Sequence, residues 1–124
     1  MRIRITWGTG EAVGVLEDTP TARGLVNALP HRSRANTWGK EVYFDLPVEA
    51  CLEKNATDVV PPGTICYWVQ GSSLALPYGP TPVSHGQECR LVTAVNILGR
   101  LEGDPSILAF IKPGDFVTVS LADE

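Results

Sequence analysis

The sequence predicts a mainly β fold of about eight short strands with one main α-helix. Glycine and proline, at 12 and 10 of the 124 residues, interrupt any long helix. The first segment alternates polar and apolar residues and places Ile3, Ile5 and Trp7 on one face, as a half-buried strand requires. Turn residues separate further short apolar segments along the chain, which is typical of a sandwich or a barrel.

The first part of the chain is predicted to form a hairpin and then the main helix. A Gly-Thr-Gly turn joins the strands at residues 2–7 and 11–16. Thr19 can cap the helix, and Pro20 suits its first position, where a missing N–H costs nothing. Apolar residues then follow at helical spacing until Pro30 ends the helix.

The central part of the chain is predicted to hold four strands. Strands 34–38 and 41–46 flank a Gly-Lys turn. The segment 48–62 is polar and is predicted to be a loop. Strand 64–69 is almost wholly apolar, which suits burial on both faces, and a short strand at 74–76 follows it.

The last part of the chain begins with a long loop at residues 78–89. A loop of this length in a compact domain is often functional. Strand 92–101 follows, and Gly99 within it indicates a bulge or a close approach of two backbones. A short second helix at 105–111 and a last strand at 116–121 complete the prediction.

Composition and charge indicate one cytoplasmic domain, residues 1–124, without a cofactor. The formal net charge is -4 and the basic residues are scattered, which argues against nucleic-acid binding. The sequence has no apolar run of about 18 residues to cross a membrane, and its amino terminus lacks the pattern of a signal peptide. Cys51, Cys66 and Cys89 have no CxxC spacing, so we expect reduced thiols and no metal site.

Aromatic residues concentrate in the middle of the chain and indicate a groove. Tyrosine and tryptophan favour pockets that are partly exposed to solvent, although core packing is the commoner role for any single residue. We therefore expect a groove that is lined by at least two members of the set. The set comprises Trp38, Tyr43, Phe44, Tyr67, Trp68 and Tyr78.

His85 lies shortly before Cys89, with Ser84 and Glu88 nearby. A Cys–His or Ser–His nucleophile pair is one interpretation of this spacing. Chance proximity is the favoured interpretation, because nothing in the spacing fixes the geometry of the side chains.

Three stretches of the sequence resemble a known family. They are NTWGKEVYF at 36–44, GTICYW at 63–68 continuing to YGPTP at 78–82, and AVNILG at 94–99. Their order and spacing are similar to those of the small cyclophilin-like domain proteins of bacteria and archaea, a largely uncharacterised family. The resemblance covers nearly the whole chain. It implies a closed, eight-stranded cyclophilin-like β-barrel with a helix packed over one end.

The resemblance also suggests an enzymatic hypothesis. Cyclophilins isomerise X–Pro bonds with an arginine that engages the twisted amide beside an apolar pocket. Asn36 occupies the corresponding place here, and asparagine lacks the permanent charge of arginine. Arg34 lies two residues earlier on the same strand face and is the candidate catalytic residue. The FHRI and QFF motifs of cyclophilins are absent from the sequence.

Three functions follow as hypotheses. The favoured one is a domain that binds a peptide or a small ligand in the aromatic groove. The second is a peptidyl-prolyl isomerase with a divergent site built on Arg34. The third is a structural subunit that acts through homo-oligomer contacts. The predicted ligand-binding residues are Asn36, Trp38, Tyr43, Phe44, Tyr78, His85 and Asn96.

Overall fold

The computed structural model describes residues 1–122, and in that range it has ten strands and two helices. The helices are α1, Pro20–Asn27, and a 3-10 helix, Pro105–Phe110. The strands are β1 Arg2–Trp7, β2 Gly10–Leu16, β3 His31–Arg34, β4 Asn36–Thr37, β5 Glu41–Asp45, β6 Thr57–Val60, β7 Thr64–Trp68, β8 Ser73–Pro77, β9 Cys89–Leu101 and β10 Phe116–Leu121. The predicted mainly β class is confirmed.

The predicted number of eight strands is wrong, for two reasons. The strand expected at 34–38 is two short strands, because the chain changes partners at Ala35: β3 pairs with β10, whereas β4 pairs with β5. The segment 48–62, expected to be a loop, contains β6, which pairs with β9. Only Val60 of β6 is buried, so the strand lacks the apolar alternation that would have revealed it.

The strands form an antiparallel sheet that curls into a nearly closed barrel. Its order is β3-β10-β1-β2-β9-β7-β8-β5-β4, and β6 pairs with β9 outside this order. The predicted full closure is wrong, because no backbone ladder within residues 1–122 joins the two end strands, β3 and β4. One seam therefore remains. His31 Nε2 on β3 bridges it by donating a 2.9 Å hydrogen bond to the backbone O of Asp45 on β5.

Two groups of buried side chains lie on opposite faces of the sheet. The main core fills the barrel and includes Ile5, Leu25, Phe44 and Tyr67. Successive residues of β7 alternate between the two faces, and the strand is buried on both, as its apolar sequence predicted. The second group, here called the outer cluster, comprises Val60, Cys66, Ala75, Cys89, Leu91 and Val95, with Tyr43, Trp68 and Ile97 packed against it.

Helix α1 packs on the main core through Ala22 and Leu25, which are both fully buried. The Thr19 hydroxyl accepts a 3.1 Å hydrogen bond from the Ala22 N–H, and Pro20 opens the helix, so the predicted start is confirmed. The helix ends at Asn27, slightly before the predicted stop. In the described residues, no helix is long and apolar enough to cross a membrane.

Gly99 allows β9 to approach β2 closely. The two strands pair through Leu16 and Gly99. A Cβ atom at Gly99 would clash with the backbone O of Val15 and would lie 2.9 Å from the Cα of Leu16. Backbone atoms cannot turn aside as a flexible side chain does, so a larger residue would separate the strands. The close backbone approach predicted at this glycine is confirmed.

Gly99→Ala should therefore destabilise the protein by about 2–3 kcal/mol, because β2 or β9 must shift to admit the methyl group. Urea unfolding followed by circular dichroism measures this change. The matched control is Gly8→Ala, since a Cβ atom at Gly8 meets no atom within 4 Å. The control should change the free energy of unfolding by less than about 0.5 kcal/mol. Equal stability of the two variants would contradict the close packing.

Candidate functional site

A cavity of about 230 Å³ opens on the outer cluster, on the face of β5, β7 and β9 that is turned away from the main core. Its lining is mostly aromatic and aliphatic, with a single carboxyl group. Small-ligand sites typically combine an apolar concave wall with a few polar groups of this kind. The lining residues are Trp38, Glu41, Tyr43, Trp68, Leu91, Val92 and Val95.

The turn between β4 and β5 places Trp38 and Glu41 at the cavity. The Trp38 backbone N–H donates a 3.0 Å hydrogen bond to the backbone O of Glu41 and closes the turn. Gly39 has a φ of 59°, which favours glycine. A Cβ atom there would also lie 2.8 Å from the Cα of Thr81. Both the backbone conformation and the packing therefore require glycine at this position.

The segment 78–84 braces this turn through backbone hydrogen bonds. The Lys40 N–H donates to the backbone O of Pro80 at 2.9 Å, and the Tyr78 N–H donates to the backbone O of Lys40 at 2.8 Å. Two of the stretches that carry the family resemblance, NTWGKEVYF and YGPTP, thus meet in space beside the cavity.

The same segment is tied to the beginning of β9. The Thr81 N–H donates to Ser84 Oγ at 2.9 Å, and the Arg90 N–H donates to the same oxygen at 3.2 Å. The Thr81 hydroxyl also donates to the backbone O of Arg90. Leu91 and Val95 of β9 line the cavity. The segment 78–84 therefore fixes the position of the turn that carries Trp38 and Glu41 relative to β9.

Tyr43 and Trp68 form two perpendicular walls. Their ring centroids are 6.2 Å apart, and their planes meet at 90°. Trp68 Nε1 donates a 3.0 Å hydrogen bond to Thr93 Oγ1, which restrains the orientation of the indole ring. Both rings are only half-buried, so a bound molecule could contact them.

Glu41 is the unusual member of the lining. The residue is only 6% exposed. Its Oε1 is buried without a hydrogen-bond partner, and the residues 1–122 supply no ion pair to its carboxyl group. Burial raises the pKa of Glu41 from 4.5 to about 7. The carboxyl group can therefore take up or release a proton near neutral pH.

Sequence reasoning missed Glu41. The alternation along β5 places Glu41 on the same face as Tyr43, and this two-residue spacing was the signal available. A strand pattern does not show which face another part of the chain will cover. The carboxyl group is buried because β9 and the outer cluster lie over that face, and this is a tertiary contact.

Two buried thiols, Cys66 and Cys89, lie within electrostatic reach of Glu41. Burial raises the pKa of each thiol, and the negative charge of Glu41 raises it further. Both thiols are therefore neutral at physiological pH and are poor nucleophiles. In the part of the chain that the structure describes, no group of three or more His, Cys, Asp and Glu side chains could hold a metal ion.

Comparison with known proteins identifies the family. A family model described as cyclophilin-like matches residues 1–120. The chain belongs to the cyclophilin-like family. Its structure is similar to the solution structure of the hypothetical protein AF2241 from Archaeoglobus fulgidus. The two share 36% sequence identity with a TM-score of 0.83, over 98% of this chain and 95% of that chain. A search of curated proteins finds no match. The resemblance recognised in the sequence is confirmed.

Of the residues predicted to bind a ligand in this cyclophilin-like chain, the cavity brings together Trp38 and Tyr43. Phe44 follows Tyr43 directly but points the other way and is fully buried in the main core. Tyr78 is half-buried and also packs against the main core. Asn36 is exposed on β4 and does not line the cavity.

Arg34, the predicted catalytic cation, does not line the cavity either. Its guanidinium carbon lies 4.3 Å from the centroid of the Phe116 ring, and its Nη1 donates a 3.3 Å hydrogen bond to the backbone O of Gly114. His85 is exposed on the long loop, where its backbone N–H donates to Glu88 Oε2 at 2.9 Å. The structure thus separates these two side chains from the aromatic walls.

Asn96 is fully buried and makes three hydrogen bonds away from the cavity. Its Oδ1 accepts from the Glu53 N–H at 2.8 Å, and its Nδ2 donates to Thr21 Oγ1 at 3.0 Å and to the backbone O of Cys51 at 2.8 Å. These bonds attach the beginning of α1 and the segment after β5 to β9.

Asn96→Ala should destabilise the protein by about 2–3 kcal/mol, because it leaves buried donors and acceptors without partners. Thermal or urea unfolding measures the loss. Asn27→Ala is the matched control, since Asn27 is exposed on α1 and should tolerate the change within about 0.5 kcal/mol. A neutral effect of Asn96→Ala would show that these bonds do not support the fold.

The pKa of Glu41 predicts a pH-dependent stability. The unfolded chain releases this proton near pH 4.5, whereas the folded protein retains it up to about pH 7. Burial disfavours the ionised carboxyl more than the protonated one, so about 3 kcal/mol of stability is lost as the pH rises from about 4.5 to about 7. In the Glu41→Gln variant this side chain cannot ionise, so the variant should not lose this stability. As the pH rises over the same range, its free energy of unfolding should therefore increase relative to that of the unsubstituted protein.

Urea unfolding between about pH 5 and about pH 8 tests this linkage. Glu49→Gln is the control, because it removes the same charge from an exposed position. Parallel profiles for Glu41→Gln and the unsubstituted protein would mean that Glu41 titrates as a solvated carboxyl.

Proposed function

We propose that this protein binds a small organic ligand in the cavity beside Glu41. The aromatic walls would supply contact area, and the Glu41 carboxyl would supply the polar anchor. The observation that carries the proposal is a buried carboxyl without a protein partner in the wall of an aromatic cavity.

The cost of burying Glu41 supports a role in binding. A buried carboxyl group without a counter-ion or hydrogen bonds opposes folding. On the opposite face of the same strand, the chain buries Val42 and Phe44, which carry no such cost. Groups kept in unfavourable surroundings at a cavity are typical of functional sites, where a ligand completes their interactions.

The size of the cavity limits the ligand. Pockets for drug-sized molecules span roughly 300–1,000 Å³. The volume of about 230 Å³ is smaller, so we propose a small molecule or a single side chain of a peptide as the occupant. The perpendicular rings of Tyr43 and Trp68 favour a compact ligand over a long flat one.

The isomerase alternative receives less support. It needs a cation beside the apolar pocket, and no arginine occurs among the cavity-lining residues of the described chain. Arg34 stacks on Phe116 instead. We therefore prefer a binding function without proline isomerisation.

A fragment screen monitored by amide NMR spectra should find ligands whose shifts map to Trp38, Tyr43 and Leu91. Trp38→Ala should weaken these ligands by about tenfold or more, because a half-buried indole supplies a large share of an aromatic site. Phe110→Ala, at an exposed aromatic residue outside the cavity, should leave the affinity unchanged.

Ligands that map elsewhere, or a broad screen without any ligand, would overturn the proposed function. Acceleration of Ala-Pro isomerisation by the native chain, abolished in Arg34→Ala, would support the isomerase hypothesis in its place.

A further inference from the structure

We infer that the ligand is an organic ammonium ion, whose charged group lies between the aromatic walls and pairs with the Glu41 carboxylate. This inference rests on the proposed function of the same cavity and adds the chemical class of the ligand. It follows from the charge of the site, from the arrangement of its rings and from the titratable groups that face Glu41.

The cavity has a negative group and no positive one. None of its lining residues, all of which lie in the described chain, is a lysine, an arginine or a histidine. Neither of the neighbouring basic side chains, Lys40 and Arg90, forms an ion pair with Glu41. The Lys40 side chain runs along Gly79, where a Cβ atom would come within 2.6 Å of its Cδ. Arg90 pairs with Glu88 at 2.6 Å and with Asp58 at 3.0 Å. A cationic ligand would therefore supply the counter-ion that the described chain does not.

The aromatic walls suit the same charge. The face of an aromatic ring carries negative electrostatic potential, and indole attracts a cation most strongly. Trp38 and Trp68 both line the cavity, and Tyr43 stands perpendicular to Trp68. An ammonium ion with alkyl substituents can contact these rings through its positively polarised carbons and still reach the carboxylate. An anionic ligand would meet repulsion from both the rings and Glu41.

The titratable groups around Glu41 offer no alternative partner. Cys66 on β7 and Cys89 on β9 face it, and the pKa of each thiol is raised, so both are neutral near pH 7. Tyr43 on the same strand contributes a phenol. Glu41 is thus the group in the cavity whose charge changes near neutral pH, since burial raises its pKa to about 7.

This titration gives opposite predictions for two classes of ligand. An ammonium ion needs the ionised carboxylate, so its affinity should rise with pH. A neutral ligand with a carbonyl acceptor needs the protonated carboxyl as a donor, so its affinity should fall with pH. An uncharged ligand held only by the rings should bind equally at every pH.

Calorimetric titration with choline chloride, at constant ionic strength, tests the inference on the full chain. The reference ligand is the dimethylbutanol isomer in which an uncharged quaternary carbon replaces the nitrogen of choline. It is called dimethylbutanol below. At about pH 8, choline should bind at least about tenfold more tightly than dimethylbutanol. Its affinity should fall about tenfold between about pH 8 and about pH 6, and that of dimethylbutanol should not change.

Two variants separate the contributions of charge and ring. At about pH 8, Glu41→Gln should weaken choline about tenfold, and choline binding to this variant should not depend on pH. Dimethylbutanol should bind to it within about twofold of its original affinity. Trp38→Leu keeps an apolar side chain but removes the aromatic face, so it should weaken choline more than dimethylbutanol. Amide NMR spectra of both variants confirm that each one folds.

Each contrary result has a distinct meaning. Equal binding of choline and dimethylbutanol, or choline binding that does not depend on pH, would overturn the ammonium inference and leave the cavity as a ligand site. Failure of choline, tetramethylammonium and methylammonium to bind would also overturn the inference. If uncharged fragments failed to bind as well, the proposed function would fall with it.

Discussion

Strand β9 is the element on which both the barrel and the cavity depend. It has 13 residues and pairs with β2, β7 and β6, and no other strand in residues 1–122 pairs with three partners. Its second half joins the main sheet where Gly99 meets the backbone of Val15. Its first half presents Leu91 and Val95 to the cavity. Because hydrogen-bonded pairing holds both halves in one extended strand, the barrel determines where the cavity wall lies.

The opposite wall depends on a loop as well as on the sheet. The segment 78–84 supports the turn that carries Trp38 and Glu41 through two backbone hydrogen bonds with Lys40. Gly39 permits the contact because a larger residue would meet Thr81. Functional residues are often held on loops that a rigid scaffold positions. Here the loop links the turn to β9, so hydrogen bonds within the chain hold the cavity in its shape.

The two faces of β5 differ in what they contribute to the fold. Val42 and Phe44 contribute to the main core, whereas Glu41 on the other face is buried at a cost to the fold. A cationic ligand would offset this cost by pairing with the carboxylate. The relief of the burial penalty would then contribute to the binding affinity. The neutral thiols of Cys66 and Cys89 beside it cannot do so. Under the proposed function, the burial that disfavours the ionised carboxyl would also prepare it for a charged partner.

The sequence by itself determined what depends on neighbouring residues: the helix start at Thr19 and the first hairpin. It also carried the family motifs, and it indicated a bulge or a close approach at Gly99 without showing which strand lies against it. It also indicated Trp38 and Tyr43, which belong to one strand–turn–strand unit. Only the tertiary structure decided that Glu41 is buried and that Arg34 lies away from the cavity. The burial and the partner of a charged side chain depend on strands far away in the chain, and local periodicity carries no information about them.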